Sequence, residues 1–306
     1  MPTLTRKAFL QKSAVLCAGL LAKPSLALQP SKLSLAFSTL GCPDWTFRQI
    51  IDFAVQHGYS GIEMRGLQRQ MDLAQSPEFN TEESRKKTRD QMKVKGLQFV
   101  NLGASTVLHL PEGEDREKSL ASGRQFIDLA QQIACPYVRV FPNLFPKEQE
   151  KAATIDLMAK GLLTLGDYAR NKNVTVLMET HGDAVYINDL KTIMQAAAHS
   201  NVGLVWDVAN MWTITKESPT KAYEELKNYI HHTHIKDAAM VDGKLQYTFL
   251  GHGEVPIFEA IDVLEKGGYK GYYSFEWEKL WHPELADPEL ALADYPKAMK
   301  KHFGLL

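Results

Sequence analysis

Eight short apolar runs, rich in β-branched and aromatic residues, alternate along this chain with eight longer amphipathic stretches. The runs at 33–37, 61–64, 97–102, 137–141, 174–179, 202–207, 230–235 and 272–276 have the length and composition of buried strands. Helical periodicity covers 45–57, 81–95, 115–133, 148–171, 187–197, 219–228, 257–267 and 288–302. Strands that alternate with helices favour a parallel sheet covered by helices, and eight of each is the count of a (β/α)₈ TIM barrel. An open doubly wound sheet is the competing architecture. It calls for a glycine-rich phosphate loop after an early strand, and none is present.

The joints carry matching punctuation. His57-Gly58, Lys95-Gly96 and Gly267-Gly268 place a glycine just past a helix end. Asp44 and Thr81 are the expected N-caps of the first two helices. Ser84 rather than Glu stands three residues after Thr81, so no capping box is expected there. Neither a linker nor a low-complexity tract interrupts the pattern, and 306 residues is an ordinary size for one barrel domain at 28–306. The net charge of −1, and the mixed signs of the densest charge run at 82–90, leave no basic footprint for nucleic acid. Cys42 and Cys135 show no CxxC spacing and read as buried small side chains.

Residues 1–27 read as a signal peptide. Arg6, Lys7 and Lys12 precede the apolar stretch SAVLCAGLLA, which is too short to span a bilayer, and Ser25-Leu26-Ala27 has the small-x-small form of a cleavage site. The leader is similar to a twin-arginine signal with Lys7 in place of the second arginine, so either that route or the general secretory route is open. Leu16 ahead of Cys17 is too large for a lipobox. The expectation is an exported, periplasmic protein that starts near Leu28, has no membrane span, and acts on substrates without phosphate.

Four strand ends carry metal-competent side chains: Glu179 in VLMETHGD, Asp207 in GLVWDVAN, His234 in HHTHIKD and Glu276 in YSFEWE, at intervals of 28, 27 and 42 residues. One strand–helix unit of a barrel takes about 30 residues. The four therefore fall at the C-terminal ends of the fifth to eighth strands, with a longer loop before the last, and those ends share one mouth. A carboxylate that ends an apolar strand is costly unless paired or metal-bound. Three carboxylates with one imidazole suit a hard divalent ion. Mn²⁺ is favoured, with Mg²⁺, Co²⁺, Fe²⁺ and Zn²⁺ open.

These pieces, with GYSGIEMRG at the second strand, LGHGEVPIFEAI, and GYKGYYSFEWE, are similar to the sugar phosphate isomerase/epimerase family of xylose-isomerase-like barrels, which includes ketose 3-epimerases and inosose dehydratases. The resemblance spans the chain beyond its leader. It implies that Glu179, Asp207, His234 and Glu276 bind the metal and that Glu179 and Glu276 double as the acid–base pair. It also implies substrate contacts near Asn210, where the family often has histidine, and near Lys236, where a later arginine is common.

Further residues are candidates for the mouth. His181 follows Glu179 by two positions, as Lys236 follows His234, and each would point the same way as its ligand if the strand continues. His252 and Glu254 lie on the GHGE loop, and His109 follows the third strand. Glu63 ends the second strand and either binds substrate or pairs with a base such as Arg65. Trp212 and Trp281 flank ligand-bearing loops and suit either a sugar face or packing. His231 and His232 are expected on opposite sides of their strand. The resulting expectation is a metal-dependent isomerase or epimerase that transfers a proton through a metal-stabilised enediolate of a sugar or keto-sugar. A lyase or hydratase on an oxidised sugar at the same site is the first alternative, and a non-catalytic carbohydrate-binding protein the second.

Overall fold

Parallel pairing runs without a break around eight strands of the computed structural model, which describes residues 33–305. The leader read at 1–27, with Cys17, lies outside the described residues. The strands are β1 (Leu35–Ser38), β2 (Gly61–Met64), β3 (Gln98–Val107), β4 (Tyr137–Phe141), β5 (Thr175–Glu179), β6 (Val202–Asp207), β7 (Ile230–Ile235) and β10 (Tyr273–Phe275). They close in the order β1-β10-β7-β6-β5-β4-β3-β2. Each expected strand has its counterpart here.

The helices are α1 (Phe47–His57), α2 (Glu82–Val94), α3 (Glu114–Ile133), α4 (Lys151–Ala169), α5 (Ile187–Ala196), α6 (Val208–Thr215), α7 (Pro219–Leu226), α8 (Ile257–Lys266) and α9 (Pro288–His302). Aromatic pairs seat several of them on the barrel. Phe99 of β3 packs on Phe47 of α1, Trp206 of β6 on Tyr223 of α7, and Phe275 of β10 stacks on Tyr295 of α9 at 4.5 Å. Cys42 and Cys135 are buried free thiols. No described helix is long and apolar enough to cross a membrane.

The helix starts correct two expectations. Thr46, not Asp44, caps α1: its hydroxyl accepts from the Gln49 amide at 3.3 Å, and Gln49 Oε1 accepts from the Thr46 amide at 2.9 Å. Asp44 pairs with Arg69 at 2.6 Å instead. A capping box does form at α2. The Ser84 amide donates to Thr81 Oγ1 at 3.0 Å and the Thr81 amide to Ser84 Oγ at 3.1 Å, because a hydroxyl at this position reaches back as a glutamate would.

The long interval before the last barrel strand is not a plain loop. It holds an antiparallel hairpin, β8 (Asp237–Val241) with β9 (Lys244–Thr248), whose turn residues Asp242 and Gly243 both have positive φ. Asp-Gly is the preferred dipeptide for such a turn, so the signal was in the sequence. Behind the hairpin, the carboxylate of Asp237 accepts from the amides of Ala238, Gly251, Gly253 and Val255 at 2.9, 2.8, 2.9 and 3.3 Å. One buried side chain thus ties β8 to the GHGE loop. Asp237→Ala leaves those amides unpaired and is expected to cost about 2–3 kcal/mol. Thermal unfolding should show the midpoint fall by several degrees, and an unchanged midpoint would remove this role from Asp237.

Candidate metal and acid–base centre

Glu179 is the last residue of β5, Asp207 the last of β6, His234 the penultimate residue of β7, and Glu276 follows β10 directly. All four are buried, and one ligand atom from each lies within 4.8 Å of all the others. His234 Nδ1 stands 3.1 Å from Glu179 Oε1, 3.3 Å from Glu276 Oε1 and 3.8 Å from Asp207 Oδ2. The expected convergence at one barrel end is present in the structure.

Local structure divides the work of each carboxylate. Asp207 is also the N-cap of α6: its Oδ1 accepts from the Asn210 amide at 2.8 Å, which leaves Oδ2 to the cluster. Thr180 links the two strand ends by accepting from the Asp207 amide at 2.9 Å and donating to the Asp207 carbonyl at 3.1 Å. Asn210 therefore meets the cluster through its backbone. The helix that Asp207 caps is not among those read from the sequence.

Three cations offset the carboxylates. The buried Lys236 ammonium lies 2.8 Å from Asp207 Oδ2, 2.7 Å from Glu276 Oε2 and 2.6 Å from Glu278 Oε1. Arg139 Nε lies 3.2 Å from Glu179 Oε2. The third cation is His234 itself. Burial disfavours the charge on Lys236, but Asp207, Glu276 and Glu278 more than reverse this and hold it well above its ordinary pKa. Burial likewise opposes the charge on His234, while Glu276, Glu63 and Glu179 hold it well above the usual imidazole range. Glu276 is held well below the carboxylate range, since His234 and Lys236 outweigh its burial. Asp207 is raised, because burial outweighs its cationic neighbours.

Glu63 corrects one expectation: its carboxylate pairs with histidines and not with Arg65. Fully buried, its carboxylate lies against Nε2 of His234 at 3.0 Å and Nε2 of His232 at 2.8 Å, and it accepts from Ser274 Oγ at 3.2 Å. This bond on Nε2 turns the Nδ1 edge of His234 toward the other three ligands. His231 and His232 are corrected as well. Both rings approach Tyr137, with centroids 6.1 and 6.2 Å away, instead of pointing to opposite faces. A register shift between β6 and β7, where Leu204 opposes Ile230 and Val205 opposes His232, interrupts the alternation that the expectation relied on.

The remaining candidates separate. β5 ends at Glu179, so alternation does not carry on to His181, whose half-buried ring lies 4.7 Å from Phe141 with Nδ1 buried and unpartnered. His252 is exposed and lines a groove with Phe258 and with Lys297 and Lys301 of α9, and none of the four ligand residues lines that groove. His109 is half-buried, Trp212 stacks under Lys216 at 3.7 Å, and Trp281 is exposed. Arg139 and Glu278 were missed. The signal for Arg139 was a cation inside the apolar strand YVRVF, and that for Glu278 a second glutamate in YSFEWE.

A family model described as a xylose isomerase-like TIM barrel matches residues 51–302. The chain belongs to this family. Among curated relatives, 3-dehydroshikimate dehydratase of Bacillus anthracis is 23% identical over 226 residues, covering 71% of this chain and 78% of that protein. Solved structures similar to it include the IolI protein with a bound zinc atom, at a TM-score of 0.73 and 17% identity over 88% of this chain and 98% of the other. D-psicose 3-epimerase with D-tagatose, from Clostridium cellulolyticum, aligns at a TM-score of 0.70 and 14% identity over 90% and 99%. At these identities the structural likenesses establish the shared barrel, and family members are enzymes that include epimerases and a dehydratase.

Lys236→Met leaves three carboxylates without their ammonium. Breaking a buried pair on one side costs about 3–5 kcal/mol. Thermal unfolding in the presence of a chelator should therefore show a much lower midpoint for the variant. Equal midpoints would mean that Lys236 does not offset the cluster's charge.

Proposed function

We propose that this chain is a divalent-metal-dependent enzyme that moves a proton on the carbon beside a carbonyl of a non-phosphorylated sugar or keto-sugar. The observation that carries this reading is the convergence of Glu179, Asp207, His234 and Glu276 within 4.8 Å of one another. Glu179 Oε2 and Asp207 Oδ2 are buried and form no aligned hydrogen bond among the described residues, although Arg139 Nε and the Lys236 ammonium lie 3.2 and 2.8 Å away, so both oxygens keep lone pairs that a metal ion could use. Three carboxylates to one imidazole form a hard donor set, for which Mn²⁺ is our first choice among Mn²⁺, Mg²⁺, Co²⁺, Fe²⁺ and Zn²⁺. The zinc in the IolI neighbour supports a divalent ion in a barrel of this kind.

A divalent ion held by these four residues would polarise a carbonyl and its neighbouring hydroxyl. Glu276, whose Oε2 lies 2.7 Å from the Lys236 ammonium, is suited to take the proton, and Glu179, paired with Arg139, to return one. Lys236 is placed to donate to an oxygen that gains negative charge, and Glu278 gives its ammonium a partner outside the ligand set. Glu63 and His232 position His234 from below. Return of a proton to the opposite face of the same carbon, from the other glutamate's side, yields an epimer, and return to the neighbouring carbon an isomer.

Dehydration is the second reading, and the curated relative named 3-dehydroshikimate dehydratase favours it. It uses the same proton abstraction, after which a β-hydroxyl leaves as water. Mass analysis of the product separates the two outcomes. The His181, Asn210 and Lys236 side chains are our candidates for substrate contact. His252 is not among them, because it is exposed and lines the groove with Phe258, Lys297 and Lys301.

Glu276→Gln should lower solvent deuterium incorporation into substrate by about 10²–10⁴-fold, read by proton NMR of the Mn²⁺-loaded enzyme. Undiminished exchange would remove Glu276 as the base. We propose also that residues 1–27 direct export to the periplasm. Expression with the native leader should yield a periplasmic chain whose N-terminal sequence starts near Leu28, whereas a cytoplasmic chain with an intact leader would defeat that proposal.

A further inference from the structure

Two arginines lie beside the centre with fewer partners than their burial demands. Arg139, on β4, is 1% exposed, and Arg65, just past β2, is 7% exposed. Their guanidinium carbons lie 3.8 and 5.9 Å from the centroid of the same ring, Phe141. Gly103 of β3 gives them room. A Cβ there would stand 2.5 Å from Arg65 Cδ and 2.9 Å from Arg139 Nη2. The fold thus holds two like charges close together over a residue that has no side chain.

Their bonding is sparse. Arg139 donates through Nη1 to the Ala104 carbonyl at 3.0 Å, while its Nε faces Glu179 Oε2 at 3.2 Å without hydrogen-bond alignment. The Arg65 side chain makes one long bond, from Nη1 to the Gly103 carbonyl at 3.4 Å. Among the described residues no carboxylate oxygen lies within 4.0 Å of it. Burial, then the nearby Arg139, push the Arg65 guanidinium down to about 9, against the pull of Glu276, Glu179 and Glu63. A buried cation without a direct counter-ion is costly and is normally retained for a partner. A cation bound in the cluster would also take up the charge of Glu179 and weaken the one ion pair Arg139 has.

We propose that Arg65 and Arg139 form a subsite for a carboxylate of the substrate, so that the enzyme acts on an acidic, oxidised sugar rather than a neutral one. This rests on the metal-dependent proton-transfer reading above. Guanidinium edges match carboxylate geometry. Since Arg139 already touches the Glu179 carboxylate, one sugar-sized molecule can meet the arginines and the acid–base pair together.

Calorimetric titration of the Mn²⁺-loaded mature protein with D-glucuronate, D-glucose and D-glucose 6-phosphate tests the subsite. These share one ring and differ at one carbon. Glucuronate should bind at least about tenfold more tightly than glucose, as a charge-assisted bond implies. Arg65→Gln should abolish that preference, read as the ratio of glucuronate to glucose affinity within the variant, and Arg65→Lys, which keeps the charge, should retain part of it. Equal affinity for glucuronate and glucose, or no measurable binding of either, overturns the proposal. Tighter binding of glucose 6-phosphate than of glucuronate overturns it in favour of a phosphate subsite. If Arg65→Gln does not fold, the wild-type comparison and Arg65→Lys still decide. A separate titration with Mn²⁺ alone reads the metal site: loss of that signal counts against the proton-transfer reading, whereas a normal Mn²⁺ isotherm without glucuronate preference counts against the subsite only.

Discussion

Crowded negative charge at one end of the barrel is the constraint around which the rest is arranged. Glu179, Asp207 and Glu276 lie within reach of a single ion, Glu63 presses on their histidine from below, and Glu278 closes on their lysine from the side. Carboxylates this close and this buried repel strongly unless cations lie between them. The chain answers from different strands. His234 and Lys236 come from β7 and its end, and Arg139 from β4, each reaching a different edge of the cluster. Because each group is held by at least one of the others, their energies are coupled, and removing one changes the protonation of its neighbours.

That arrangement needs a backbone of fixed spacing and a few local departures from it. Parallel pairing sets the C-terminal ends of β5, β6, β7 and β10 side by side, so that one residue from each can meet the others. Capping of α6 by Asp207 and the Thr180 bridge fix the backbone and one oxygen of that residue in place. The register shifts near Glu63 and near His232 break simple alternation where Glu63 must meet both His232 and His234. Gly103 serves the same end by omission, since any side chain there would displace Arg65 or Arg139.

The hairpin of β8 and β9 adds to the barrel at the same end. It starts immediately after Lys236, and it brings the ring of Tyr247 to 5.5 Å from the lysine ammonium. Asp237, the neighbour of Lys236, fastens the returning loop through its amides. Two successive residues of the HIKD segment therefore have different duties, one inside the charge cluster and the next in holding the loop. Sequence similarity alone gives both the same weight.

The barrel strands and eight of the nine described helices were legible in the chain because they depend on short-range periodicity, which each segment carries by itself, whereas α6 and the hairpin were not read from it. The four strand-end residues were legible for a related reason. A polar group that closes an apolar run, and recurs near the length of one barrel unit, belongs at the barrel's rim, where such groups can meet. What the chain did not disclose alone is which side chains meet across the barrel. Glu63 against His234, Arg139 against Glu179, and Arg65 beside Arg139 join residues far apart in sequence on strands whose facing is set by closure of the sheet and by shifts in its register. Such contacts form only when every strand is in place, so tertiary structure decided them, whereas local chemistry had already decided the barrel.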